Sequence, residues 1–149
     1  MKLLTTVILC LFATINIYGQ SPLSIKIKEG SDKPNYEKVH TYLLEITNSS
    51  KRSIRFVIDS KNIKCQNLKE ENQVKLVQKN LSKTSKAQFS EHMLKTNESF
   101  EFYLKISRPD NTTINKWNCT EIKAVDENGN TLSNSVIITT LIPDPKDNN

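Results

Sequence analysis

From residue 21 onward the apolar positions fall on every second residue, the spacing that sends side chains to alternate faces of a β-strand. Leu23, Ile25 and Ile27 alternate with Ser24, Lys26 and Lys28 until Gly30 ends the run. Tyr42, Leu44 and Ile46 form the next, stopped by the turn-forming stretch Asn48-Ser49-Ser50-Lys51. Ile54, Phe56 and Ile58 follow, facing away from Ser53, Arg55, Val57 and Asp59, and the short polar connection makes these two runs read as a hairpin. Phe100, Phe102, Leu104 and Ile106 alternate with Glu101, Tyr103, Lys105 and Ser107 before Pro109 ends the strand. Strands over 116–125 and 132–142 flank Asp126-Glu127-Asn128-Gly129-Asn130, and Asn-Gly is the strongest short hairpin signal. Pro143 and Pro145 then terminate the fold and leave a polar tail over 143–149.

Between residues 60 and 96 the alternation weakens into Lys, Gln, Asn and Ser, with one predicted strand around Val74 to Val77 and isolated Leu81, Phe89, Met93 and Leu94. A short helix near Ser90 to Leu94 is conceivable. This segment is expected to be the least regular of the domain, as a freely varying connection at a sheet edge or as a binding loop.

The start of the chain follows a different pattern. Lys2 precedes an apolar run from Leu3 to Ala13 broken only by Thr5 and Thr6, and small Gly19 offers a cleavage point. A charged start, a short apolar stretch and a small residue at the cut make up a secretory signal, here residues 1–19, and the stretch is too short to span a bilayer. Cys10 follows Leu9, where a lipoprotein signal wants a small residue, so it belongs to the discarded segment rather than to a lipid anchor. A cut that leaves Gln20 first resembles export signals of Bacteroidetes-type bacteria.

Removing 19 of 149 residues leaves 130 (20–149), the size of one domain with one core. Without Lys2 the 21 basic residues become 20 against 16 acidic ones, a mild +4. The charges are interspersed, with no basic stripe of the kind nucleic-acid binding needs, and no second apolar stretch reaches transmembrane length.

The exported chain keeps Cys65 and Cys119. An even pair in an oxidising compartment points to a disulfide, the other fates being two separate buried thiols or a metal site. The last would need His40 or His92, and neither stands at ligand spacing. A bridge closing so long a loop stabilises a fold by about 4 kcal/mol on the chain-entropy account.

Short, half-polar strands with a hairpin at each end suit a two-sheet sandwich. The chain resembles the immunoglobulin-like and fibronectin type III-like domains of bacterial secreted proteins. Tyr42-Leu43-Leu44-Glu45-Ile46-Thr47-Asn48, Asn97-Glu98-Ser99-Phe100-Glu101-Phe102 and the Trp117, Cys119 pair carry the resemblance. It implies an all-β, antiparallel, immunoglobulin-like sandwich of about seven strands, and no particular function, because such sandwiches host many. The cysteines depart from the immunoglobulin pattern: a Cys65–Cys119 bridge would tie the irregular segment to the core instead of pinning the sheets. Trp117 and Cys119 also share a face with Glu121 and Lys123, opposite Ile122 and Ala124. Either a bulge near Thr120 switches the faces or Cys119 points outward, and the outward reading is slightly preferred.

Catalytic chemistry is thin. A nucleophile needs a base held by a third group, and neither His40 nor His92 lies in a recognisable motif, so both read as ordinary surface or strand-end histidines. Asp59, Glu70, Glu71, Asp110, Asp126, Glu127 and Asp144 show no calcium-loop spacing and read as solvated carboxylates. Asn-x-Ser/Thr sequons start at Asn48, Asn80, Asn97, Asn111 and Asn118, as an Asn-, Ser- and Thr-rich chain produces by chance. The expectation is a non-enzymatic secreted or periplasmic module, with no cofactor or metal, that binds another exported protein or a glycan. The alternative is an inhibitor or immunity-type protein directed at a secreted enzyme or toxin.

Overall fold

The computed structural model describes residues 21–144 and 146, Asp32 excepted. The predicted signal of residues 1–19, with Cys10, lies outside the described residues, as do residues 145 and 147–149 of the predicted tail.

Eight strands form the fold: β1 (Leu23–Glu29), β2 (Val39–Asn48), β3 (Ile54–Ile63), β4 (Val77–Ser82), β5 (Glu91–Leu94), β6 (Ser99–Ser107), β7 (Lys116–Val125) and β8 (Val136–Ile142). They make two four-stranded antiparallel sheets, ordered β1-β2-β6-β4 (sheet A) and β5-β3-β7-β8 (sheet B). The chain is an antiparallel two-sheet sandwich, as the alternation predicts, and an immunoglobulin-like one, as the resemblance implies, with eight strands where about seven are expected. Leu44, Ile46, Phe102, Leu104 and Ile106 of sheet A meet Ile54, Phe56, Ile58, Ile122 and Ile138 of sheet B in one apolar core. Fully burying a side chain of this size contributes about 1.5–3 kcal/mol, which makes the shared face the main driving force.

The predicted hairpin between the runs at 42–46 and 54–58 does not form. β2 belongs to sheet A and β3 to sheet B, so the connection crosses the sandwich. Asn48 holds that crossing in place. Its side chain is turned inward and fully buried, donating from Nδ2 to the carbonyls of Arg52 (2.8 Å) and Leu94 (3.1 Å) and accepting from the Ser50 amide (2.9 Å). One polar side chain at the strand end thus fastens the turn to β5 of the other sheet. The predicted Asn-Gly hairpin does form between β7 and β8, with Gly129 at φ +83°, although β8 starts at Val136 and not at Leu132.

The 60–96 segment is more regular than its composition predicts. β3 runs on to Ile63, the strand expected at 74–77 is β4 at Val77–Ser82, and the conceivable helix at 90–94 is strand β5. β4 and β5 are edge strands, so polar residues are tolerated on them and the apolar alternation is lost. Because β5 pairs only with Ile54–Val57, the rest of β3 is open toward β4. Polar side chains close that gap. Asn62 Nδ2 donates to the Leu76 carbonyl and Asn62 Oδ1 accepts from the Leu76 amide, both at 2.9 Å, in imitation of a strand pair. Gln78 Nε2 donates to Asn62 Oδ1 (3.0 Å) and Thr120 Oγ1 (3.1 Å), and Ser60 Oγ donates to Asn80 Oδ1 (2.9 Å).

Candidate functional site

β7 settles the face conflict read in the sequence. Its register with β3 and with β8 is unbroken, so no bulge occurs near Thr120. The inner face is simply polar at one end, where Asn118 and Thr120 are buried: Asn118 Nδ2 donates to Asn62 Oδ1 (2.6 Å) and the Val74 carbonyl (2.8 Å), and Thr120 Oγ1 donates to Asn118 Oδ1 (2.9 Å). Cys119 therefore stands on the outer face of sheet B with Trp117, Glu121 and Lys123. It is nevertheless only 5 % exposed, because the loop after β3 folds over it.

Cys65 and Cys119 are joined by a disulfide, their Cα atoms 5.3 Å apart. The bridge pins residues 64–74 against the sheet, and Gln73 organises the loop from within. Its Oε1 accepts from the Cys65 amide (2.8 Å), its Nε2 donates to the Leu68 carbonyl (2.9 Å), and next to it the Val74 amide donates to the Trp117 carbonyl (2.8 Å). Asn67 takes the left-handed conformation at φ +61°, one that asparagine tolerates better than most residues, and Glu70–Asn72 form a single 3-10 turn. Lys64 sits 2.9 Å from Glu70 and its hydrogen bond lowers the pKa of that carboxyl. Gln66, Asn67 and Lys69 point to solvent.

Clefts lie on both sides of this loop. One of about 310 Å³ is lined by Asn62, Ile63, Lys64, Glu70, Gln73, Val74 and Lys75. The other, about 250 Å³, lies over the disulfide between Ile63 and Leu68 on one side and Ile137 and Thr139 on the other. Both are open, and neither holds a histidine or a pair of carboxylates. A third cleft of about 230 Å³ runs between Arg55, Glu91, Asp126 and Glu127. Three of its four charges are already engaged: Arg55 pairs with Glu91 at 2.6 Å, and Asp126 accepts from the Asn130 side chain and from the Asn128 and Asn130 amides. Those bonds, that of the Asn130 side chain first, lower the pKa of Asp126 and make it the cap of its turn.

The outer face of sheet A carries a charge ladder. Lys26 and Lys28 flank Glu45 at 2.7 and 3.3 Å, Lys28 also reaches Glu101 at 2.5 Å, and Lys83 completes the row on Glu101. Hydrogen bonds from Lys28 and Lys83 pull the Glu101 pKa down to about 2.

The histidines are packed into the fold. His40 is 5 % exposed, with Nε2 3.1 Å from the Glu37 carbonyl and Nδ1 3.0 Å from Ser31 Oγ. The neutral tautomer with its proton on Nε2 leaves Nδ1 to accept from Ser31, a serine–histidine contact the sequence reading did not single out. None of the three clefts described above touches it. His92 on β5 stacks on Phe100, ring centroids 3.9 Å apart, and meets Phe56 edge-on. Of the other carboxylates, Asp59 lies 3.2 Å from Lys61 and Asp110 2.6 Å from Lys38. Among the described residues no group of histidine, cysteine and carboxylate side chains is placed to hold a metal ion.

The sequons divide by burial. Asn48 and Asn118 are enclosed and Asn80 donates from Nδ2 to the Ile58 carbonyl, which closes all three to a glycan, whereas Asn97 and Asn111 are exposed. Gln73 and Asn62, which organise the site, carried no signal beyond being polar.

No family profile matches the chain and no curated protein matches it. Among solved structures the chain is similar to a FixG-related protein from Vibrio parahaemolyticus, at 9 % identity and a TM-score of 0.51, covering 82 % of this chain and 96 % of that one. It is also similar to a family 123 glycoside hydrolase from Clostridium perfringens, at 10 % identity and a TM-score of 0.50, covering 82 % of this chain but only 27 % of the hydrolase. At such identities the likeness is one of fold alone. The described residues contain no helix long and apolar enough to cross a membrane, and a disulfide is compatible with an extracellular or periplasmic compartment.

Proposed function

We propose that the protein is an exported, non-enzymatic binding module that holds another exported protein against the loop of residues 64–74. The observation that carries this reading is the way that loop is held. A disulfide at Cys65 and the two-ended bonding of Gln73 order it before any partner arrives, so less conformational entropy is lost on binding than for a free loop. Gln66, Asn67 and Lys69 are left facing solvent between two open clefts, one of them floored by Leu68, Ile137 and the disulfide. An apolar floor with a polar rim is the anatomy of a protein–protein contact.

A glycan fits less well. Sugar rings stack on exposed aromatic faces, and Tyr36 is the only aromatic among the exposed large apolar side chains of the described residues. Against catalysis stand the packing of His92 and the absence of Ser31 and His40 from the linings of the three clefts described above. The inhibitor reading is a special case, in which the partner is an enzyme whose activity falls on binding.

The test is affinity capture from the host's own exported fraction, comparing the natural protein with the double variant Gln66→Glu, Lys69→Glu. Both side chains are exposed, so the fold is expected to be unaffected. A protein retained by the natural chain and lost by the variant is the expected result, and assay of that protein with and without the module separates inhibition from simple binding. Equal recovery by both would remove the loop from the interface.

A further inference from the structure

β8 (Val136–Ile142) differs from every other strand of the sandwich. Its sequence, Val-Ile-Ile-Thr-Thr-Leu-Ile, holds no charge, whereas β1 to β7 each carry at least one Lys, Arg, Asp or Glu. It is also the edge of sheet B. β7 pairs with it along its whole length, and among the described residues nothing pairs with its other side. β1 lies beside the start of β8 without pairing with it: Leu23 bridges to Ser133 and the Asn134 side chain donates to the Ile25 carbonyl (2.9 Å), both before the strand begins.

In an antiparallel pair alternate residues direct both backbone groups toward the neighbouring strand. The Ile142 carbonyl accepts from the Asn115 amide on the β7 side, so Ile138 and Thr140 also face β7. Ile137, Thr139 and Leu141 accordingly turn their amides and carbonyls to the open edge. The side chain of Ile137 is 49 % exposed. A long uncharged edge of this kind is what natural sheets guard against unless it is used.

We propose that β8 is the interface of a homodimer, formed by antiparallel pairing of β8 with β8 of a second copy about a two-fold axis. The strand suits itself as partner. With the axis at Thr139, Thr139 faces Thr139 and Ile137 faces Leu141, so every cross-strand pair of that row is Thr–Thr or apolar and no like charges meet. The other edges are unsuited to the same contact: β1 would bring Lys26 and Lys28 against their copies, β4 carries Lys79 and is already met by residues 87–89, and β5 is short and carries Glu91. Self-pairing at one edge is therefore closed at two copies and does not grow into a fibre. A single strand pair buries less than the roughly 1,600 Å² of a standard interface, so the dimer is weak and dissociates on dilution.

Sedimentation equilibrium over a wide concentration range tests this. The natural protein is expected to move from the mass of one chain to that of two as concentration rises. Ile137→Lys should remain monomeric at every concentration, while Met93→Lys, 54 % exposed before substitution and on the opposite edge of the same sheet, should dimerise like the natural chain. A monomer at all concentrations, or a dimer that Ile137→Lys leaves intact, would overturn the proposal. Should Ile137→Lys fail to fold, hydrogen exchange on the natural protein decides: protection of the Ile137, Thr139 and Leu141 amides must rise with concentration, and constant fast exchange there contradicts the pairing. Ile137 also floors a cleft beside the loop, but self-association is read with no partner present, so it can fail without touching the loop reading, and capture by residues 64–74 can fail without touching the dimer.

Discussion

Asn48 shows how much one polar side chain decides in this fold. Its buried amide group serves the Arg52 and Leu94 carbonyls and the Ser50 amide, the Arg52 carbonyl also accepting from Ser50 Oγ (3.0 Å). Asn48→Ala should therefore destabilise the protein by about 1–3 kcal/mol, the cost of leaving buried backbone groups unpaired. Denaturant unfolding with an unchanged slope would measure it, and a loss below about 0.5 kcal/mol would show that the crossing is held by other contacts. Glu101 makes a prediction about pH. Its folded pKa of about 2 lies below the ordinary 4.5, so its contribution is complete above the unfolded value and disappears as pH falls from 4.5 through about 2. Lys28 and Lys83 are raised, and their part is lost only above the usual lysine value of 10.5. Thermal melts of the natural protein and of Glu101→Gln should thus converge as pH drops through that acid window. A gap that stays constant across it would mean that the ladder on sheet A does not lower the Glu101 pKa and adds no ionisation-linked stability. In the sequence Asn48 could be read as a turn residue, but nothing there shows that its side chain turns inward.

The strands were the most legible elements, and for a physical reason. Leu44, Ile46, Phe102 and Leu104 must reach one core from an extended backbone, so their spacing of two carries the face assignment directly. That spacing says nothing about which sheet a strand joins, and so β2 and β3 read as a hairpin although they lie in different sheets. β4 and β5 were harder to see because edge strands need bury little. Asn118 and Thr120 hid the inner face of β7 behind polar side chains whose partners, Asn62 and Gln78, come from other strands. The disulfide was legible as a pair, and its role as a pin on the loop followed from Cys65 lying beyond the third strand. Replacing both cysteines with alanine should cost up to about 4 kcal/mol by the loop-closure argument. Gln73 and the Val74–Trp117 bond survive that change, so the sandwich should still fold, with the loss read from chemical denaturation. A double variant as stable as the natural protein would show that the bridge does not constrain the unfolded chain.

At the scale of the whole molecule, the sandwich presents three unlike surfaces. The outer face of sheet A is closed over by ion pairs, the β8 edge is apolar and open, and the outer face of sheet B carries the pinned loop between its clefts. An all-β sandwich was readable from alternation and turn residues, and its immunoglobulin-like character from the resemblance of its strands. The candidate site was readable only in part: the Cys65–Cys119 tether and the outward-facing Cys119 were legible, whereas Gln73, which orders the loop from within, has no sequence pattern of its own. The claim that the loop at 64–74 is where this protein meets its partner is tested most directly by the affinity of the captured protein for the natural chain and for Gln66→Glu, Lys69→Glu. The account predicts an affinity at least about tenfold lower for the variant, equivalent to about 1.4 kcal/mol, with an unchanged melting temperature. Equal affinities for the two chains would contradict it.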